Sequence, residues 1–282
     1  MGSETFAHLV NLKSFSQPLS RPMRDPMPDT NNLEKKQKPL RRSQDLTSAD
    51  RAAIIRQLEF GSSLSERTVS QFAECSLVTD IRRRRFVYRA GDQADTLYAI
   101  VKGRIKLCRI EPQTDREAVI DILPEGSLFG ESALYSKAGL RQNCAVAYEN
   151  GLLLKIPADQ FKLGMAAEPG LHDYTFRLIG HRLEHAEQRL ADFALNAIPA
   201  RLDRLLADFS DRYGVRESAG VLIDIPLPHR EIASIVGSTR ESVTVRLNAM
   251  RREGTIEFVN RRILVKRPEW LLRSVSELPL VS

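Results

Sequence analysis

Residues 227–267 constrain the fold of this 282-residue chain more than any other segment. Apolar spacings of three and four residues predict two short helices separated by Gly237, which suits a tight turn because glycine adopts a left-handed backbone at little cost. Ser238 or Thr239 is expected to cap the second helix. Two short apolar runs around residues 260–261 predict a hairpin. This order predicts a winged helix-turn-helix, which places its second helix in the major groove of DNA.

The second helix is the expected reader of base edges. Arg240 would bond a guanine through O6 and N7, Glu241 would accept from a cytosine amine, and Val245 would touch a thymine methyl group. Residues 227–267 hold nine Lys or Arg against four Glu, which is the charge that phosphate binding requires. The predicted DNA-binding residues are Ser238, Thr239, Arg240, Glu241, Thr244, Val245 and Arg246.

Composition excludes several other classes of protein. Apolar runs are far shorter than the roughly 20 residues of a membrane span, and no secretion signal opens the chain. Cys75, Cys108 and Cys144 are widely spaced and form no CxxC pair, so reduced thiols in the cytoplasm are expected. His181 and His185 lie four apart, but no further metal ligand accompanies them. Without a metal site, a nucleophile–base pair or a phosphate-binding loop, the chain is not expected to be an enzyme.

The rest of the chain divides into three segments by pattern. Residues 1–45 are polar and proline-rich, which predicts a disordered basic tail. Residues 46–165 open with two helical stretches and continue as short strands separated by turns, which predicts an antiparallel roll. Four consecutive arginines, residues 82–85, fit either a nucleic-acid contact or a solvated loop.

A long helix is predicted over residues 171–195, within a segment 166–198 that precedes the DNA-binding domain, residues 199–282. Its apolar residues alternate spacings of three and four between charged flanks, which is typical of a two-helix coiled coil. A homodimer is therefore expected, with two reading helices on a palindromic DNA site. The predicted seam residues are Phe176, Ile179, Leu183, Ala186, Leu190 and Phe193.

These segments, taken in order, resemble the Crp/Fnr family of bacterial transcription regulators. The resemblance rests on the early roll strands with Gly103, on Leu128-Phe129-Gly130-Glu131 with Arg141, and on residues 237–243. Residues 235–240 are also similar to the cyanobacterial nitrogen-control branch. The resemblance implies an α+β fold: an antiparallel β-roll of the double-stranded jelly-roll type, a long dimerisation helix and a C-terminal winged helix-turn-helix. It also implies RNA polymerase as a partner.

The resemblance further implies an effector site in the roll. Gly130 would turn backbone amides towards an anion, Arg141 would bind it and Glu131 would accept a sugar hydroxyl. An equally weighted alternative makes Gly130 a turn glycine and Glu131–Arg141 an internal ion pair. The predicted effector-binding residues are Phe129, Gly130, Glu131, Ser132, Arg141, Gln142, Arg182 and Arg189.

The chain departs from the cyclic-AMP binders of this family. They carry a small hydroxyl residue where Gln142 follows the cassette arginine, and Thr and Ser on the seam helix where Ala186 and Glu187 stand here. Cyclic AMP is therefore a doubtful effector, and 2-oxoglutarate or another cyclic nucleotide stays open. Two alternatives remain: an effector-independent regulator, and a cyclic-nucleotide-binding module that regulates a protein partner.

Overall fold

The computed structural model describes residues 46–111, 113–114 and 116–266. The tail predicted for residues 1–45 and the last sixteen residues of the chain lie outside the described residues. Within the described ranges, no helix is long and apolar enough to cross a membrane.

Two helices precede the roll. Helix α1 (Ser48–Gln57) begins with a capping box, in which the Thr47 hydroxyl accepts from the Asp50 N–H and the Asp50 carboxylate accepts from the Thr47 N–H. The sequence predicted one helix as far as Phe60, but the backbone of Leu58 is extended and a 3-10 helix (Glu59–Ser63) follows. Helix α2 (Glu66–Cys75) is the second of the two helical stretches predicted before the strands.

The roll consists of two four-stranded antiparallel sheets, in the orders β1-β8-β3-β6 and β2-β7-β4-β5. The sequence predicted six of the eight strands. It missed β1, and β6 with only two residues, and it missed two helices: α3 (Ser132–Tyr135) and α4 (Ala158–Ala167). The strands are β1 (Leu77–Ile81), β2 (Phe86–Tyr88), β3 (Thr96–Lys102), β4 (Ile105–Ile110), β5 (Glu117–Leu123), β6 (Leu128–Phe129), β7 (Cys144–Ala147) and β8 (Gly151–Pro157).

Two helices connect the roll to the C-terminal domain. Helix α5 (Pro169–Leu195) has 27 residues and begins with proline, whose fixed φ suits a first turn. Its last residue is Leu195, and the backbone becomes extended at Asn196. Helix α6 (Ile198–Tyr213) has Pro199 in its first turn and buries Leu202, Leu206 and Phe209 in the core of the C-terminal domain.

The C-terminal domain is a winged helix-turn-helix. Helices α7 (His229–Val236) and α8 (Arg240–Arg252) are followed by the predicted wing strands β11 (Ile256–Val259) and β12 (Arg262–Val265). A second hairpin, which was not predicted from the sequence, consists of β9 (Gly214–Glu217) and β10 (Gly220–Ile223). It extends the wing into a sheet of order β11-β12-β10-β9.

The C-terminal domain shares part of its core with the roll. Val119 and Ile122 of β5, together with Tyr148, belong to the same buried apolar cluster as Leu205 and Ile235 of the C-terminal domain. Helix α7 therefore packs directly on strand β5, and the reading helix follows it at a fixed place beside the roll.

Candidate nucleic-acid interface and effector site

The turn before α8 fixes where the reading helix begins. Gly237 ends α7 in the left-handed region, with φ of 63°. Thr239 then caps α8, because its hydroxyl accepts from the Ser242 N–H at 3.2 Å. Of the two predicted capping residues it is therefore Thr239, and the hydroxyl of Ser238 is buried without a partner among the described residues.

The opposite faces of α8 differ as a reading helix requires. Val243, Leu247 and Met250 are fully buried on one face. On the other, Arg240 and Glu241 are exposed, and Val245 has 68% of its surface exposed. The first turn of α8 borders an open cleft of about 920 Å³ shared with the loop between β4 and β5. The polar groups of the first turn of α8 are thus accessible to a ligand from solution.

Two predicted DNA-binding residues turn inwards instead. The Thr244 hydroxyl lies 2.8 Å from His229 Nδ1 and donates to the carbonyl of Arg240 at 2.7 Å. Burial, followed by the charge of Arg240, lowers the pKa of His229. Arg246 faces α6, where its guanidinium lies 3.6 Å from a carboxylate oxygen of Asp203. Neither side chain points away from the protein as Arg240 does.

Asp203, the residue that Arg246 approaches, is a buried carboxyl. Its side chain is almost completely buried, and one carboxylate oxygen has no hydrogen-bond partner among the described residues. Burial raises the pKa of Asp203 to about 6, although Arg246 opposes this shift. A carboxyl that titrates near neutral pH therefore lies directly behind the reading helix.

The wing has the geometry of a tight two-residue hairpin. Asn260 and Arg261 both have positive φ values, 48° and 66°, as the right-handed twist of flanking strands favours. The Arg261 carbonyl accepts from the Leu227 N–H at 3.3 Å, which ties the wing to the start of the first helix.

In the roll, the cassette arginine is bonded to the protein itself. Arg141 is only 2% exposed, and its guanidinium donates to the carbonyls of Gly130, at 2.8 Å, and Thr96. It also reaches the Ser132 hydroxyl at 3.4 Å and lies 4.4 Å over the ring of Tyr88. Only its Nε has no partner among the described residues. Two of its three nitrogens are therefore already engaged.

The alternative prediction of an internal ion pair between Glu131 and Arg141 is wrong, because Glu131 has a different partner. Glu131 instead pairs with Arg182 from α5, and Arg182 also donates to the Leu128 carbonyl at 2.8 Å. Gly130 has φ of 83°, which favours glycine, and a Cβ there would lie only 3.0 Å from the Arg141 guanidinium.

The other predicted effector residues divide between interior and surface. Phe129 is buried and stacks on Tyr98, with ring centroids 5.1 Å apart. Gln142, the residue that departs from the cyclic-AMP binders, is exposed and donates weakly to the Leu140 carbonyl. The cassette interior is thus lined by aromatic rings, with the cation set among them.

Arg189 belongs to a different place from the cassette. It donates to the carbonyls of Val119 at 3.1 Å and Ile235 at 2.9 Å, and also to that of Ile120. One guanidinium on α5 therefore joins β5 of the roll to the end of α7. Burial lowers the pKa of Arg189, and no carboxylate forms a salt bridge with it in the described part of the chain.

Further contacts between the domains were not predicted from the sequence. The Ser234 hydroxyl donates to the Glu117 carbonyl at 2.6 Å and accepts from the Val119 N–H at 3.0 Å. Lys106 pairs with Glu117 and, at 3.2 Å, with Glu231. Burial alone would lower the pKa of Lys106, but the two carboxylates outweigh it and raise that pKa. In the sequence, the one sign of these contacts is Lys106, a charged residue between the apolar residues of β4.

The six seam residues are all exposed in the single chain. Phe176, for example, is 73% exposed and Leu190 is 69% exposed. A helix that exposes such a stripe to water is typical of one that packs on a partner. Phe193 also has an intramolecular contact, because its ring lies against Gly237 in the helix-turn-helix.

Comparisons with known proteins agree with this architecture. Residues 78–167 match the model of the cyclic nucleotide-binding domain, and residues 188–274 match the Crp-like helix-turn-helix domain. A global nitrogen regulator of Nostoc is 30% identical over 198 residues, which are 70% of this chain and 88% of the relative. The chain belongs to the Crp/Fnr family of transcription regulators.

A second relative and a solved structure are similar to this chain as well. A CRP-like cAMP-activated global transcriptional regulator of Mycobacterium tuberculosis is 27% identical over 69% of this chain and 86% of its own length. The structure of FixK2 from Bradyrhizobium japonicum superposes with a TM-score of 0.64 at 16% identity, covering 72% of this chain and 99% of FixK2. The fold of this Crp/Fnr regulator is thus the predicted one.

The Crp/Fnr family is one of regulators rather than enzymes. Among the described residues, no group of three His, Cys, Asp or Glu side chains is placed to hold a metal ion.

Proposed function

We propose that this chain is a homodimeric transcription regulator that binds a palindromic DNA site in the cytoplasm through the start of α8. One observation carries the proposal: Arg240, Glu241 and Val245 are exposed on a helix whose start is fixed by Gly237 and Thr239. Hydrogen-bonding groups held rigidly at a helix start can distinguish base pairs in a major groove.

The test begins with selection of a binding duplex by the wild-type protein from a random-sequence pool. Arg240→Ala is then expected to weaken binding to the selected duplex by about 5- to 150-fold, which corresponds to about 1–3 kcal/mol. Its binding to a scrambled duplex should change little. Arg177→Ala, which removes an exposed arginine from α5, is the matched control. Equal affinities of the wild-type protein for selected and scrambled duplexes would refute the proposal.

The proposed dimer uses the exposed stripe of α5. Leu183→Glu is expected to convert dimers to monomers in analytical ultracentrifugation, because it places a charge within an apolar seam. Arg177→Glu changes the charge on another face of the same helix and should leave the dimer intact. A wild-type protein that sediments as a monomer at micromolar concentration would contradict this part of the proposal.

A second candidate is a regulator that binds DNA without an effector. The contacts of Arg141 favour it, because the guanidinium that the family resemblance assigns to an anion is engaged by backbone carbonyls. Arg182 and Arg189, the other proposed cations, have partners as well. A cyclic nucleotide or 2-oxoglutarate would have to compete with these contacts.

Thermal-shift measurements distinguish the two candidates. A ligand that binds only the folded state raises the melting temperature with dose. Cyclic AMP, cyclic GMP and 2-oxoglutarate are each titrated against the pure protein. A dose-dependent rise identifies an effector, whereas selected-duplex binding without a rise supports the effector-independent regulator. Tight nucleotide binding without any DNA binding would instead indicate a module that regulates a protein.

A further inference from the structure

The turn between β1 and β2 carries four consecutive arginines that the proposed reading helix does not use. All four side chains are exposed. A positive charge of four is therefore concentrated on one short surface turn. Its residues are Arg82, Arg83, Arg84 and Arg85.

The backbone of this arginine turn is firmly held. The Arg85 N–H donates to the Arg82 carbonyl at 3.0 Å, and the Arg84 N–H donates to the Ala147 carbonyl at 2.7 Å. Arg84 adopts a left-handed backbone with φ of 68°. A turn pinned to a neighbouring strand presents its side chains with less loss of backbone entropy on binding than a free loop would.

A series of contacts connects the arginine turn to the wing through residues 148–150 and 226–227. The Arg83 N–H donates to Asn150 Oδ1 at 2.8 Å. Two residues earlier, the Tyr148 hydroxyl donates to the carbonyl of Pro226. Leu227, which follows Pro226 in the chain, donates its N–H to the carbonyl of Arg261 at the tip of the wing. The turn and the wing thus border the same junction between the domains.

A second connection joins the same two surfaces. Arg104, which follows β3, donates to the Asp224 carbonyl at 3.0 Å. The Asp224 carboxylate lies 3.1 Å from the Arg262 guanidinium of β12. The end of the roll that carries the arginine turn is therefore attached to the wing strands rather than to the far side of the C-terminal domain.

We propose that the arginine turn is a second DNA-contacting surface, which binds phosphates of the duplex beyond the bases that α8 reads. This rests on the proposed function, because α8 and the wing must first bring the duplex to this junction. DNA carries one charge per roughly 1.7 Å of duplex, and guanidinium groups pair with phosphate in bidentate fashion. DNA is favoured over an acidic protein because the contacts of Tyr148 and Arg104 attach the wing side of the C-terminal domain to the end of the roll that carries the turn.

The test compares two variants on two lengths of the duplex selected from the random pool. Arg83→Gln with Arg85→Gln removes two charges and leaves Arg84, the residue with the left-handed backbone, unchanged. The control, Arg67→Gln with Arg177→Gln, removes two exposed arginines from α2 and α5. One duplex ends at the selected half-sites, and the other extends about 15 base pairs further at each end, or roughly 50 Å.

The dependence of affinity on salt is the readout. On the extended duplex, the Arg83/Arg85 variant should lower the slope of log K against log salt by up to about 3.6, because a dimer would lose up to four phosphate contacts at about 0.9 each. On the trimmed duplex its slope should equal that of the wild-type protein. The control should leave both slopes unchanged, and thermal melting should show that both variants are folded.

Two results would overturn the inference. One is an unchanged slope on the extended duplex, which would leave an acidic protein partner as the use of the turn. The other is an equal loss on both lengths or in the control, which would indicate a general charge effect. Failure of the proposed function is seen separately, as a wild-type protein that selects no sequence. Random duplexes of the two lengths then still decide whether the turn binds phosphate.

Discussion

The ring of Phe193, near the end of α5, lies directly against Gly237 in the turn of the helix-turn-helix. A Cβ added to Gly237 would come within 2.5 Å of Phe193 Cε1, closer than real carbon atoms approach. The residue that the heptad pattern assigns to the dimer seam therefore also contacts the DNA-binding domain of its own chain. In the proposed dimer, a change in the packing of Phe193 would therefore act on the turn that positions α8.

The contact makes Gly237 doubly sensitive to substitution. Gly237→Ala meets both the cost of a left-handed backbone and the clash with Phe193. Gly254→Ala, at φ of 72° with nothing within 4 Å, meets only the first. Urea unfolding should show a cost of about 1–2 kcal/mol for Gly254→Ala, and on the order of 1–3 kcal/mol more for Gly237→Ala. Phe193→Ala in the Gly237→Ala background should recover part of that excess; equal costs for the two glycines would refute the close contact.

Arg189 is expected to stabilise the docking of α7 on the roll. Arg189→Ala leaves carbonyls of Val119, Ile120 and Ile235 without their donor, which should lower the free energy of unfolding by about 1–3 kcal/mol. Amide hydrogen exchange should also become faster in α7. Arg177→Ala, on an exposed part of the same helix, should change stability by less than about 0.5 kcal/mol. Similar effects of the two substitutions would show that Arg189 does not join the domains.

The buried carboxyl of Asp203 gives a pH dependence of definite sign. Its pKa is about 6 in the folded protein, against an ordinary value of 3.8, so folding favours the protonated form. The stability that this group contributes is complete below about pH 3.8 and is lost as the pH rises through 6, with a slope of at most about 1.4 kcal/mol per pH unit. Asp203→Asn should remove this component. The difference between the unfolding free energies of the two proteins, measured from pH 4 to pH 7, isolates it; a constant difference would refute the raised pKa.

The elements with a strong local signal could be predicted from the sequence. The glycine at 237 and the three-and-four spacing of α5 each define a conformation through neighbouring residues alone. Strand β6 and the hairpin of β9 and β10 could not be recognised in the same way. Two or four residues carry too short a pattern, and their pairing partners lie far away in the sequence.

The same distinction between local and long-range signals applies to the candidate site residues. That Arg240 and Glu241 are exposed follows from the apolar face of α8, which periodicity reveals. That Arg141 bonds backbone carbonyls does not follow from any motif, because the motif gives residue types and not the acceptors that the fold brings together. The arrangement around Arg189 likewise depends on where α7 packs, which only the tertiary structure determines.

Arg141 provides the last prediction, because its contacts differ from those of a free anion site. A lysine cannot reach the carbonyls of Gly130 and Thr96 together, so Arg141→Lys should lower the free energy of unfolding by about 2 kcal/mol or more. Arg89→Lys is the control, since Arg89 is exposed and only stacks over Phe86 at 3.6 Å. Its cost should be below about 1 kcal/mol. If both variants were equally stable in urea unfolding, the Arg141 guanidinium would not be needed for stability and would be available to an effector.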